Sequence, residues 1–117
     1  SIVGGEIGKH IETASRLRAG NQVSLIVGAM IELRLAVELG ASDNKIVEDF
    51  FQSVKLLWKK DWTSRIDMSS LVDVIYQKGG VRISMPDGGL DKTLYVGAKV
   101  FERFVREKTW RGLESFV

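Results

Sequence analysis

Apolar positions recur at two different periods along the 117 residues, and the change of period divides the chain. Ile7, Ile11, Ala14 and Leu17 step at helical spacing, and AGN at 19 to 21 supplies a stop. This predicts a first amphipathic helix over residues 5–18. Residues 22–39 are apolar nearly all round, the pattern of a helix enclosed by other elements, with Gly40 at its left-handed end. Gly28 inside it marks a close approach by a neighbour. Ser42 or Asp43 caps a third helix, in which Ile46, Val47, Phe50, Phe51, Val54, Leu57 and Trp58 fall on one stripe. Lys45, Glu48, Asp49, Gln52 and Lys55 form its solvated face.

After the linker DWTSRIDMSS the period shortens to two. VDVIYQ, VRISM and LDKTLYV read as three short strands joined by KGG and PDGG turns. Val72, Val74 and Tyr76, then Val81, Ile83 and Met85, share an apolar face. Asp73, Ile75 and Gln77, then Arg82 and Ser84, then Asp91, Thr93 and Tyr95 occupy the other. PDG at 86 to 88 is hairpin chemistry, because Pro presets φ and Gly accepts a positive φ. The run SSLVDVIYQKGG also fits a capped helix ending at Gly79, which leaves a helix followed by a two-stranded wing. Residues 97–109 return to helical period through Val100, Phe101, Phe104 and Val105, with Glu102–Arg106 and Arg103–Glu107 paired at i,i+4.

The expected fold is therefore α+β: three N-terminal helices packed on a small three-stranded antiparallel sheet and closed by a C-terminal helix. One domain spans 1–117, made of a helical half (1–58), a linker and β-meander (59–96), and a C-terminal helix and tail (97–117). The terminal WRGLESFV stays apolar to its last residue, so Phe104, Trp110, Leu113, Phe116 and Val117 are the expected interface.

Composition narrows the chemistry. A chain with 44% hydrophobic and 27% charged residues is ordinary for a folded globular domain. Cys is 0, which removes disulfides, thiol nucleophiles and thiolate metal sites and fits a cytoplasmic location. His10 is the single histidine, so no multi-histidine metal site exists and any His-dependent catalysis falls on that residue. VSLIVGAMIELRLAVELG carries Glu32, Arg34 and Glu38 and is too charged to span a bilayer. SIVGGEIG has no basic n-region, so no signal peptide is expected. The glycine-rich stretches GGEIG, Gly79–Gly80 and DGG fit neither GxxxxGK[ST] nor a strand-anchored GxGxxG. The expectation is a non-enzymatic protein without metal or cofactor.

Charge points to a partner. Residues 1–58 hold six Lys/Arg against seven Asp/Glu, whereas 59–117 hold eleven against eight, so a polyanion is expected to meet the second half. Binding a single strand needs cations for phosphates and aromatic faces for bases. WKKDWTSRID at 58 to 67 sets both in one stretch. Trp58 extends the apolar stripe of the third helix and is expected in the core, which leaves Trp62 for ligand. Lys59, Lys60, Arg65, Lys78, Arg82 and Lys92 surround Trp62 and Tyr95, and Arg82 and Tyr95 share a predicted sheet face. The expected function is binding of single-stranded DNA or RNA through these residues. The alternative is an assembly subunit of a larger, ribonucleoprotein-like complex or a homo-oligomer, docking through its C-terminal tail.

Overall fold

The computed structural model describes residues 5–84 and 92–107. The chain forms α1 (Gly5–Ala14), α2 (Asn21–Glu38), α3 (Asn44–Lys55), a short 3-10 turn (Thr63–Arg65), α4 (Met68–Lys78), β1 (Gly80–Ser84), β2 (Thr93–Gly97) and α5 (Ala98–Glu107). The class is α+β, with five helices and a two-stranded antiparallel sheet. No helix among the described residues is long and apolar enough to cross a membrane.

The all-round apolar helix is α2, buried along most of its length. Its end is fixed by a Schellman motif: Ala41 N–H donates to Ala36 O (2.7 Å), Gly40 N–H donates to Val37 O (3.0 Å), and Gly40 takes φ 73°. On one side α1 lies so close that a Cβ at Gly8 would sit 3.1 Å from the Ser24 carbonyl oxygen. The first helix stops at Ala14, four residues before the expected end. Ser15 turns the chain there: its hydroxyl donates to Glu12 O and accepts from Ala19 N–H, while Arg16 and Leu17 adopt positive φ.

On the other side of α2, α3 buries Val47, Phe51 and Val54 against Met30 and Leu33, a satellite core with the Arg34 guanidinium 5.5 Å from the Phe51 ring centroid. Asp43, not Ser42, caps α3, accepting from Lys45 N–H at 2.8 Å. The third helix thus packs on α2, whereas the sheet's main helical neighbours are α1, α2, α4 and α5. This corrects the expected packing of three N-terminal helices on the sheet. The main core joins Ile7 and Ile11 of α1, Val27 and Ile31 of α2, Leu71 and Ile75 of α4, Val81 and Ile83 of β1, and Phe101 of α5.

The first expected strand is a helix, so the three-stranded meander is corrected to two strands. Met68, Leu71, Val72 and Ile75 lie at i, i+3, i+4 and i+7, a stripe that α4 packs on the core and that an alternating strand divides between two faces. Both ends are capped. The Asp67 carboxylate accepts from Ser69 N–H (3.0 Å), Ser70 N–H (3.3 Å) and Ser70 Oγ (2.9 Å), and Gly79 closes the helix at φ 82°. The Ser70 hydroxyl and amide hold the Asp67 carboxyl below its usual range.

β1 and β2 pair from Gly80↔Gly97 to Ser84↔Thr93. Val81, Ile83 and Val96 point into the core, and Arg82 and Tyr95 point out, as the alternation predicts. The PDG turn and Asp91 lie outside the described residues, as do Trp110, Leu113, Phe116 and Val117.

One polar contact ties α2 to the sheet. Ser84 N–H donates to Glu32 Oε1 at 2.6 Å, with Glu32 buried inside α2. Glu32→Ala removes this acceptor and lowers unfolding free energy by about 1–3 kcal/mol. Glu32→Gln keeps an amide oxygen there and costs less, an ordering that urea denaturation of the two variants checks.

Candidate nucleic-acid interface

The expected site residues separate into a cluster around the hairpin and a stretch before α4. Arg82 and Tyr95 are direct cross-strand partners, both exposed. Gly79 O accepts from Ala98 N–H at 3.1 Å, which fixes the phase of the ladder and makes Arg82–Tyr95 a non-hydrogen-bonded pair. Such pairs bring side chains closest together. The Tyr95 ring leans over the glycines that join α4 to β1: a Cβ would lie 3.3 Å from its hydroxyl at Gly79 and 2.6 Å at Gly80. The ring remains 58% exposed. A tyrosine ring lying over the Gly79–Gly80 backbone, with Arg82 as its cross-strand neighbour, is thus presented to solvent.

Exposed cations lie on the elements that adjoin the hairpin. Lys78 is exposed on the last turn of α4, beside Gly79, and Lys92 is exposed next to β2. Lys99 and Arg103 of α5 line an open groove of about 500 Å³ with Tyr76, Glu102 and Arg106. Tyr76 Oη donates to Glu102 Oε1 at 2.9 Å, and Arg106 Nη2 donates to Glu102 Oε2 at 3.0 Å. The bond to Glu102 chiefly raises the Tyr76 pKa, keeping its hydroxyl protonated. Lys99 and Arg103 were not among the expected site residues. Their signal was present in the sequence as the stripe Lys99, Arg103 and Arg106 at i, i+4 and i+7 of α5.

The other half of the expected site is displaced. Lys59, Lys60 and Arg65 are exposed but precede α4, whereas Lys78 and Tyr95 sit at its far end. α4, 11 residues and about 15 Å long, lies in the chain between the two groups. Arg65 is engaged by Asp61, Nη2 to Oδ2 at 2.6 Å. Trp62 is corrected outright: it is 6% exposed and belongs to the main core, so its ring is not a stacking surface. Trp58 is only partly buried and touches both cores, with its ring centroid 5.2 Å from that of Trp62. Trp58 ends the stripe of α3, but the chain leaves the helix at Lys55 and turns, so the later tryptophan is the one carried inward. Phe104 is likewise corrected from interface to core, at 7% exposure.

His10, on α1, is near enough to Lys78 to feel its charge. Its Nε2 is buried without a hydrogen-bond partner among the described residues, 3.9 Å from Glu6 Oε1. Burial holds the imidazole below the usual histidine range; Glu6 opposes that shift and Lys78 adds to it.

Two measurements follow from these positions. Trp62→Ala removes a buried indole and costs about 3–5 kcal/mol of stability, and Trp58→Ala costs less, as chemical denaturation of each variant reads out. For His10, the folded pKa lies below the unfolded value of about 6.5, so the unfolded chain takes up the proton first as pH falls. Stability is complete above that value and declines as pH drops toward the folded pKa. Urea midpoints across this window show the decline in the parent and lose it in His10→Gln. The chain matches no protein-family model, no curated protein and no solved structure.

Proposed function

We propose that this protein binds single-stranded nucleic acid, without catalysis, through the outward face of the β1–β2 hairpin and the adjoining ends of α4 and α5. The observation that carries the reading is the exposed Arg82–Tyr95 pair, with the tyrosine ring braced on Gly79 and Gly80. A fixed ring loses little freedom when a base stacks on it, and such stacking contributes about 1–3 kcal/mol per base. Arg82, across the ladder from Tyr95, supplies a planar cation that a stacked nucleotide can recruit. Lys78, Lys92, Lys99 and Arg103 supply further exposed charge for phosphates. Lys59 and Lys60 precede α4 and are not part of the proposed hairpin face.

Single strands fit this surface better than duplex. The helix next to the hairpin exposes Asp73 and carries Asp67 at its start, and Glu102 lines the neighbouring groove. Carboxylates there oppose insertion of α4 beside paired phosphates. A second reading, docking on another protein as an assembly subunit, is favoured by Leu56 and Leu57, which are 88% and 55% exposed just beyond α3.

Fluorescence anisotropy with labelled single-stranded and duplex oligonucleotides at two salt concentrations tests the proposal. The expected result is single-strand binding whose log affinity falls with log salt, with a slope reflecting about three to five phosphate contacts. Tyr95→Ala weakens it by about 5- to 100-fold at an unchanged melting temperature. No binding at low salt removes the proposal. Equal affinity for duplex replaces it with a helix-and-hairpin reader, and unaltered binding by Tyr95→Ala removes the hairpin face from the site.

A further inference from the structure

We propose that the outer edge of β2 pairs with β2 of a second copy of this chain, antiparallel about a twofold axis at Tyr95, to give a four-stranded sheet. The phase of the ladder sets which backbone groups are free to do this. With Ala98 N–H donating to Gly79 O and Gly80 opposite Gly97, the mutually hydrogen-bonded pairs are Val81–Val96 and Ile83–Leu94. The N–H and C=O groups of Thr93 and Tyr95 therefore point away from β1. The same phase turns Ser84 N–H outward on the opposite edge, where Glu32 Oε1 meets it at 2.6 Å.

The two edges are treated differently by the fold. Among the described residues, β1 has α1, α2, α4 and α5 as main neighbours, whereas the main neighbours of β2 are β1 and α5. Among the described residues, neither Thr93 nor Tyr95 makes an outward backbone hydrogen bond. The strand also lacks the usual guards against pairing. TLYVG carries no charge and no proline, and its register with β1 runs from Ser84↔Thr93 to Gly80↔Gly97 without a bulge. The Tyr95 ring leans toward Gly79 and Gly80, on the β1 side and away from the outer edge.

A second copy is the occupant because the edge is complementary to itself. An axis at Tyr95 sets the outward groups of one Tyr95 against those of the other, and Thr93 opposite Gly97. At Gly97 a Cβ would meet nothing within 4 Å, so the space beside Thr93 is open. On the inner face Leu94 meets Val96, extending the apolar layer, and no like charges meet across the central pairs. Two strands of 5 residues bury far less than the roughly 1,200–2,000 Å² of a standard stable interface, so the dimer is weak and concentration-dependent.

Sedimentation equilibrium of the full chain from micromolar to millimolar concentration, without nucleic acid, tests this independently of the proposed function. The expected result is a monomer–dimer equilibrium. Thr93→Pro removes an outward donor but no bond of the β1–β2 ladder, because proline is tolerated where a strand's N–H faces solvent. It raises the dimer dissociation constant by about tenfold or more through loss of two symmetric hydrogen bonds, at an unchanged melting temperature. In the parent chain, exchange of the Tyr95 amide hydrogen slows as concentration rises. A chain that stays monomeric at millimolar concentration overturns the proposal, as does a Tyr95 amide whose exchange ignores concentration or a Thr93→Pro variant that dimerises as the parent does.

Discussion

A helix that is apolar on every side has to be surrounded, and α2 imposes that condition on the rest of the chain. Its 18 residues bury side chains toward α1 and the sheet on one side and toward α3 on the other. Two cores result, not one, and α2 is the wall between them. Ile26 of α2 and Trp58 beyond α3 are the side chains that touch both. Movement of α3 is therefore felt by the main core through the tryptophan segment as well as through α2 itself. The single carboxylate enclosed in α2, Glu32, is oriented by the same constraint: it has no solvent to face and meets the end of β1 instead.

The hairpin stands at the other extreme. One face is core, and Arg82 and Tyr95 on the other are exposed among the described residues, so they are released from packing. Arg82 and Tyr95 are placed by strand alternation and register. Lys78 is placed by the end of α4, and Lys99 and Arg103 by the start of α5. Three elements meet at Gly79, whose carbonyl accepts from the first residue of α5 and whose φ of 82° ends α4. One backbone junction thus joins the elements that carry this charge, with Lys78 and Lys99 at the element ends beside it and Arg82 and Arg103 within β1 and α5.

Sequence patterns revealed those features that depend on local chemistry. The Gly40 stop, the Asp43 cap, the stripe of α3 and the outward pair Arg82–Tyr95 all follow from spacing and turn residues. Residues 69–79 satisfied two periods at once: Val72 and Val74 alternate, while Met68, Leu71, Val72 and Ile75 step at helical intervals. Asp67 and Gly79, flanking caps at the right separation, are what tip the balance toward a helix, and they lie outside the alternating window. The tryptophans could not be sorted by period because the chain turns between them. Which indole goes inward depends on the path of residues 56–62, set by tertiary packing against Ile66 and the main core.

The glycine at position 80 has a meaning beyond its own backbone. A Cβ there would meet the Val96 carbonyl oxygen of the paired strand as well as the Tyr95 hydroxyl, so the backbone itself excludes a side chain. Position 80 is consequently held as glycine over evolutionary time whatever stands at 95. A descendant that loses the ring still keeps the glycine, because the carbonyl of the neighbouring strand remains in the way. A constant glycine beside a position 95 that is free to change is the trace that this close approach of two strands leaves in related sequences.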